Sequence, residues 1–227
     1  AGPRAGVAYS LIVCFDDLSI AHRLRAHDCK VVEASPTLGV DAVTGRGLTA
    51  ALHGAAAVVD VSNPHARDGN AASRFFKASS HNLLAAGQAA GVRHHVALSI
   101  VGVDRIAGID YFDAKRAQED LIIGSPIPFT IVRATQFFEL VRDVVQDGDA
   151  RDVRIAPALV QPIAGDDIAD FMVDTLFAGP CGRIVEIAGP EVLRLDDVAT
   201  EIATAYEDGR RIVSAVSYTH LRAHETE

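Results

Sequence analysis

"RHHVALSIVGVDRIAGIDYFDAKRAQEDLIIGSPIPFTIVRA", Arg93 to Ala134, decides the architecture. It opens on an apolar run, "RHHVALSIVG", continues through the helical stretch "YFDAKRAQEDLII" and closes on a second apolar run, "PFTIVRA". Strands buried on both faces read as near-continuous apolar runs, and such runs alternating with helices mark a parallel sheet covered on both sides.

The alternation extends toward the N-terminus. "YSLIVCF" reads as a strand and "SIAHRLRAH" as a helix, with Ile20, Ala21 and Leu24 at helical spacing. "KVVEAS" is the next strand, "GLTAALHG" a short helix closed by Gly54, and "AAAVVDVSN" a continuous apolar strand bounded by Asn63-Pro64. "FFKASSHNLLAAGQAAG" is a longer helix stopped by Gly91. The expectation is an α/β fold with a doubly wound parallel sheet over residues 1–140. From about Val141 the rhythm loosens into "VRIAPALVQPI", a helix "DDIADFMVDTLF", a strand "RIVEIAGP" and a helix "LDDVATEIATAY". These make a small C-terminal α+β lobe over 141–215. Asp166, Asp167, Asp196 and Asp197 stand at helix starts, where carboxylates satisfy free N–H groups, and read as caps rather than catalysts.

Composition narrows the function classes. No apolar run approaches the roughly 20 residues that cross a bilayer, and the first thirty residues lack the layout of a signal peptide, so a cytoplasmic protein without membrane contact is expected. The formal charge of −9 comes with no Lys/Arg cluster, which argues against nucleic acid. Cys14, Cys29 and Cys181 are odd in number and far apart, and are expected to be buried free thiols. His94 and His95 are adjacent on a strand and point to opposite faces, so no metal is assigned. The segment "VSYTHLRAHETE", Val216 to Glu227, follows neither period and resembles one translated frame of a transposase-type sequencing-library adapter. It is expected to be non-native, and with Ala1 in place of a methionine both native termini stay open.

"NLLAAGQAAGVRHHVALS", "YFDAKRAQEDLI" and "PFTIVRATQFFE" resemble the short-chain dehydrogenase/reductase superfamily. The likeness is nearest to its atypical NmrA-like branch of NAD(P)-binding proteins and nucleoside-diphosphate-sugar epimerases. "QPIAGDDIAD" and "VEIAGPEVLRLDDVA" resemble the C-terminal lobe of that branch. The resemblance implies a Rossmann-like NAD(P)-binding domain with a substrate lobe above the carboxyl ends of the strands.

Ser99, Tyr111 and Lys115 take on chemical meaning in that frame. Carbonyl reduction by a nicotinamide hydride needs a proton for the oxygen, and a phenol with a reference pKa of about 10 supplies it when a cation lies nearby. Lys115, one helical turn from Tyr111, is that cation and also a candidate to hold cofactor ribose hydroxyls. Ser99 ends a central strand and is a candidate to bind the substrate carbonyl. In the superfamily the matching serine, tyrosine and lysine carry these roles.

The phosphate-binding turn does not conform. A Rossmann site places a glycine-rich turn between its first strand and helix, because bare backbone lets the pyrophosphate approach. Here the turn reads "CFDDLSIAHRL", without glycine, and Asp16 and Asp17 would repel phosphate. Loss of ordinary dinucleotide binding and damage to the N-terminal sequence both account for it. Ser35 stands after the second strand where an acid would select NAD, so NADP is favoured and NAD remains possible. Ser62 and Asn63 flank the cofactor, Ala134 and Thr135 lie near the nicotinamide, and Gln136, Phe137 and Phe138 face substrate or pack between the lobes. The resulting expectation is an NAD(P)H-dependent oxidoreductase reducing a small carbonyl or quinone-like substrate, possible as a homodimer. The alternatives are a non-catalytic NmrA-like dinucleotide sensor or regulator, and a damaged gene product without activity.

Overall fold

The computed structural model describes residues 10–14, 19–64, 69–106, 108–146 and 151–215. The glycine-free turn at Phe15–Leu18 and the tail Val216–Glu227 lie outside the described residues. The chain begins with β1 (Ser10–Cys14), α1 (Ile20–Ala26) and β2 (Lys30–Ala34). α1 buries Ile20, Ala21 and Leu24, the residues its spacing selects. A 3-10 turn at Pro36–Leu38 and the short α2 (Leu48–Ala51) lead to β3 (Ala55–Asp60). α3 (Gly69–Ala90) starts ahead of the expected Phe75. It stops where Gly91 takes φ 74°, a left-handed conformation that glycine adopts without steric cost. β4 (His94–Ile100), α4 (Asp110–Ile123) and β5 (Phe129–Ala134) follow, the strand, helix and strand of the deciding stretch. Beyond them lie α5 (Phe138–Gln146), β6 (Asp152–Ile155), β7 (Leu159–Val160), α6 (Gly165–Ala178) and β8 (Arg183–Ile187). The last elements are β9 (Leu193–Arg194), α7 (Leu195–Ala205) and β10 (Arg211–Ser214).

Six strands make one sheet in the order β2-β1-β3-β4-β5-β8, with every pairing parallel. This is the expected α/β Rossmann-like, doubly wound architecture. The chain leaves β1 for β2 on one side and for β3 on the other, so the β1/β3 boundary is a topological switch point, where open α/β sheets bind ligands at the carboxyl ends of their strands. One core cluster gathers Val58, Ala97 and Ile131 from the central strands with Leu52, Leu83 and Ile122 from the helical layer. Each fully buried valine, leucine or isoleucine of this set contributes about 1.5–3 kcal/mol.

The chain divides into two compact units. The first runs to Ala134 and resumes over Asp166–Ile187; the second is Thr135–Gly165 and everything from Ala188. The contiguous lobe expected from residue 141 is therefore interrupted, because β8 extends the parallel sheet with Ile131 opposite Ile184 and Val132 opposite Val185. The second unit is α+β. Val141 and Val145 of α5 pack with Ile155, Val198, Ala199 and Ala203, while β10 pairs in parallel with β6, and β7 antiparallel with β9.

The acid pairs at the starts of α6 and α7 occupy first turns as expected, yet their hydrogen bonds run mainly to arginines. Asp166 accepts from Arg23 Nη2 at 2.8 Å, and Asp196 accepts from Arg194 Nη2 at 2.8 Å and from the Ser214 hydroxyl. Cys29 is buried, but Cys181 is exposed, which corrects the expectation of buried thiols: it sits in the surface turn just before β8. None of the described helices is long and apolar enough to cross a membrane.

Candidate active site

The site builds upward from Asp60, a carboxylate at the end of an otherwise apolar strand and only 1% exposed. Its Oδ1 accepts the Ser62 backbone N–H at 3.0 Å, and its Oδ2 accepts Gln118 Nε2 of α4 at 3.0 Å. The first bond folds the chain after β3 so that Ser62 is buried while Asn63 faces outward. Tyr111, in the first turn of α4, donates its phenol to Asn63 Oδ1 at 2.7 Å. Lys115, one turn further, is buried, with its Nζ 4.5 Å from the centre of the Phe76 ring. That ring, fully buried on α3, also meets Tyr111 edge-on at 6.0 Å. Phe76 is thus a shared wall that fixes the phenol and favours a cation over its face.

Burial pushes the Lys115 ammonium down to about 8, and the carboxylates of Asp60 and Glu119 act in the opposite direction. Lys115 is therefore mostly cationic at neutral pH, one turn from the phenol. Ser99 lies elsewhere in this polar layer. Its hydroxyl, on a residue 4% exposed, donates to Glu119 Oε1 at 2.5 Å rather than meeting Tyr111. Glu119 also grips Arg133 of β5 through Nε at 2.9 Å and Nη2 at 2.7 Å. Arg133 Nη1 reaches Asp104 at 3.0 Å, and these carboxylates hold the guanidinium well above its ordinary range, Glu119 first.

The two histidines diverge as their strand alternation requires. His94 Nε2 meets Thr130 Oγ1 at 3.0 Å, and burial pushes its imidazole down to about 4. His95 Nε2 lies 3.9 Å from Asp60 Oδ2, and burial lowers its pKa against the pull of that carboxylate.

The other nominated residues fall into two groups. Ser35 follows β2 and shares a hydrogen bond with Thr37 Oγ1 at 2.9 Å, while Glu33 within the strand pairs with Arg25 at 2.6 Å. Ala134 ends β5, and its carbonyl accepts the Val101 N–H at 2.9 Å. Thr135, Gln136, Phe137 and Phe138 belong to the second unit. There Thr135 Oγ1 donates to the Gln161 carbonyl at 2.6 Å, Gln136 is exposed, Phe137 bridges to Ile163, and Phe138 packs on the α5 core. The structure therefore joins Asn63 and Tyr111 directly, with Lys115 one turn along α4 against the same Phe76 ring and Ser62 alongside Asn63.

The residues present fit a dinucleotide. Ser62 Oγ is buried without a hydrogen-bond partner among the described residues, at the carboxyl end of β3 beside the switch point. A buried hydroxyl left so costs about 1–3 kcal/mol. Sequence reading passed over Asp60, Phe76, Glu119 and Arg133. The available signal was a lone charge inside an apolar strand, in "AAAVVDVSN" and "PFTIVRA", and a Glu four residues after Lys115 on the same helix face.

Comparison with known proteins agrees with this fold. A family model described as NAD(P)H-binding matches residues 23–178, more than half of the chain, and the protein belongs to that family. Among solved structures it is similar to UDP-N-acetylglucosamine 4-epimerase from Bacillus cereus, with a TM-score of 0.73, 15% identity, and 91% of this chain and 85% of that one covered. It is similar as well to a dTDP-4-dehydrorhamnose reductase from Clostridium acetobutylicum, at 0.73 and 13% identity over 93% and 85% of the two chains. The UDP-glucose 4-epimerase of Thermus thermophilus in complex with NAD gives 0.71 and 14% over 91% and 86%. No curated protein matches the chain significantly in sequence.

Proposed function

We propose that the protein is an NAD(P)H-dependent oxidoreductase of the NmrA-like branch of the short-chain superfamily, reducing a small carbonyl or quinone-like substrate. The observation that carries this reading is the Tyr111 phenol, held by Asn63 at 2.7 Å one helical turn from a buried lysine. A nicotinamide dinucleotide, when bound, would supply the hydride. Tyr111 delivers a proton to the substrate oxygen as negative charge builds there, and the Lys115 ammonium lowers the cost of leaving a phenolate behind. Asn63 orients the phenol. Ser62 and Lys115 hold ribose hydroxyls, and the absence of an acid at Ser35 favours the 2'-phosphate of NADP over NAD. Ala134 and Thr135 border the nicotinamide, and Gln136, Phe137 and Phe138 belong to the substrate side. Ser99 serves this site through Glu119, whose position it fixes.

Calorimetric titration with NADPH and NADH, followed by NADPH oxidation against a panel of carbonyls and quinones, tests the reading. Tyr111→Phe is expected to lose about 10²-fold or more in kcat while still binding the dinucleotide. Full activity in that variant removes Tyr111 as the acid, and failure to bind either dinucleotide removes the reading altogether. The glycine-free turn with Asp16 and Asp17 favours a second reading, a dinucleotide sensor without turnover. That reading predicts binding with no oxidation of NADPH by any substrate in the panel.

A further inference from the structure

We infer that Asp60 is a positioning residue of this reducing site, locking the Asn63 turn to α4 and sustaining the positive charge of Lys115. The inference rests on the reading above. The two oxygens of Asp60 divide their bonds between the halves of the site, one to the Ser62 N–H beside Asn63 and one to Gln118 on the helix that carries Tyr111 and Lys115. Neither donor is charged.

Two carboxylates act on Lys115, Asp60 and Glu119, and they differ in their partners. From its own helix, Glu119 is gripped by the Arg133 guanidinium of β5, which also takes Asp104. From β4, His95 Nε2 lies 3.9 Å from Asp60 Oδ2, and burial lowers its pKa. From α3 comes the uncharged face of Phe76. Asp60 from β3 takes its hydrogen bonds from uncharged donors. An opposite charge near a buried group favours its charged form and moves its titration by about 1–3 units.

The test follows Lys115 itself, independently of turnover. The chain contains three lysines, Lys30, Lys77 and Lys115, so protein labelled with 13C at lysine Cε gives three resonances, assignable by Lys→Arg exchange at positions 30 and 77. The Lys115 resonance is expected to titrate near 8 in the native protein. Asp60→Asn keeps the side-chain size and an acceptor for the Ser62 N–H, and should lower that midpoint by about one unit or more while Lys30 and Lys77 stay unmoved. The alkaline limb of the kcat/KM profile should move down by the same increment. An unchanged Lys115 midpoint in folded Asp60→Asn overturns the inference. If that variant does not accumulate, Asp60→Ser is titrated in its place, and an unmoved Lys115 midpoint overturns the inference equally. A native protein that binds no dinucleotide refutes the oxidoreductase reading, while the Lys115 titration still decides the coupling. An active native enzyme whose alkaline limb ignores Asp60→Asn refutes the positioning role alone.

Discussion

Replacing Arg133 with methionine probes the polar layer under α4 most directly. The side chains of Arg133 and Glu119 are 7% and 4% exposed, and the pair is bidentate. Removing one partner of a buried pair strands the other charge and costs about 3–5 kcal/mol. Glu119 keeps the Ser99 hydroxyl as a donor, which places Arg133→Met near the lower end, about 3 kcal/mol. In Glu119→Leu/Arg133→Met both charges leave together, and the main residual cost is the unpaired Ser99 hydroxyl, about 1–3 kcal/mol. A double-mutant cycle should therefore show a coupling of at least about 2 kcal/mol. Equilibrium unfolding in urea, followed by circular dichroism, measures it. With an m-value of about 3 kcal/mol/M, the midpoint of Arg133→Met falls by about 1 M. A loss below about 1 kcal/mol, or single effects that simply add in the double variant, refutes the account of Glu119 as a charge dependent on Arg133.

Two further predictions concern pH. Lys115 titrates near 8 in the fold against 10.5 in its ordinary state, so between those values the unfolded chain binds more protons and native stability climbs with pH, by about 3 kcal/mol in all. Lys115→Met lacks this climb; a difference from the native protein that stays flat between pH 8 and 10.5 in urea titrations contradicts the assignment. His94, lowered to about 4 from 6.5, makes the fold lose stability as pH drops from about 6.5 to about 4, by up to about 3 kcal/mol. His94→Gln should flatten that acid limb while keeping a partner for Thr130, and an unaltered limb in the same titration assigns the loss to other groups.

The sheet was legible because its strands are buried on both faces, and "AAAVVDVSN", "RHHVALSIVG" and "PFTIVRA" have no other economical reading. The pairing of Tyr111 with Lys115 on one helix face follows from the helical period alone. Less local features were hidden. The direction of the Ser99 hydroxyl depends on which face of β4 receives α4, a tertiary fact that Glu119 decides. α5 is short and falls where the apolar rhythm loosens, and the core around its Val141 and Val145 is completed by Val198, Ala199 and Ala203 of α7, more than fifty residues later in the chain. Asp60 and Arg133 were visible as letters, but their meaning lay in partners supplied by α4.

The return of the chain to the sheet at β8 bears on how the protein is made. At Ala134 the ribosome has produced five of the six parallel strands, yet the outer edge of β5 waits for Arg183–Ile187, and the intervening chain includes the first part of the second unit. About 50 residues separate the two, several seconds of synthesis at about 5–20 residues per second. During that interval an apolar strand presents open backbone donors and acceptors to any neighbouring nascent chain. Translation speed across this stretch, and chaperone occupancy while it emerges, are therefore direct determinants of soluble yield.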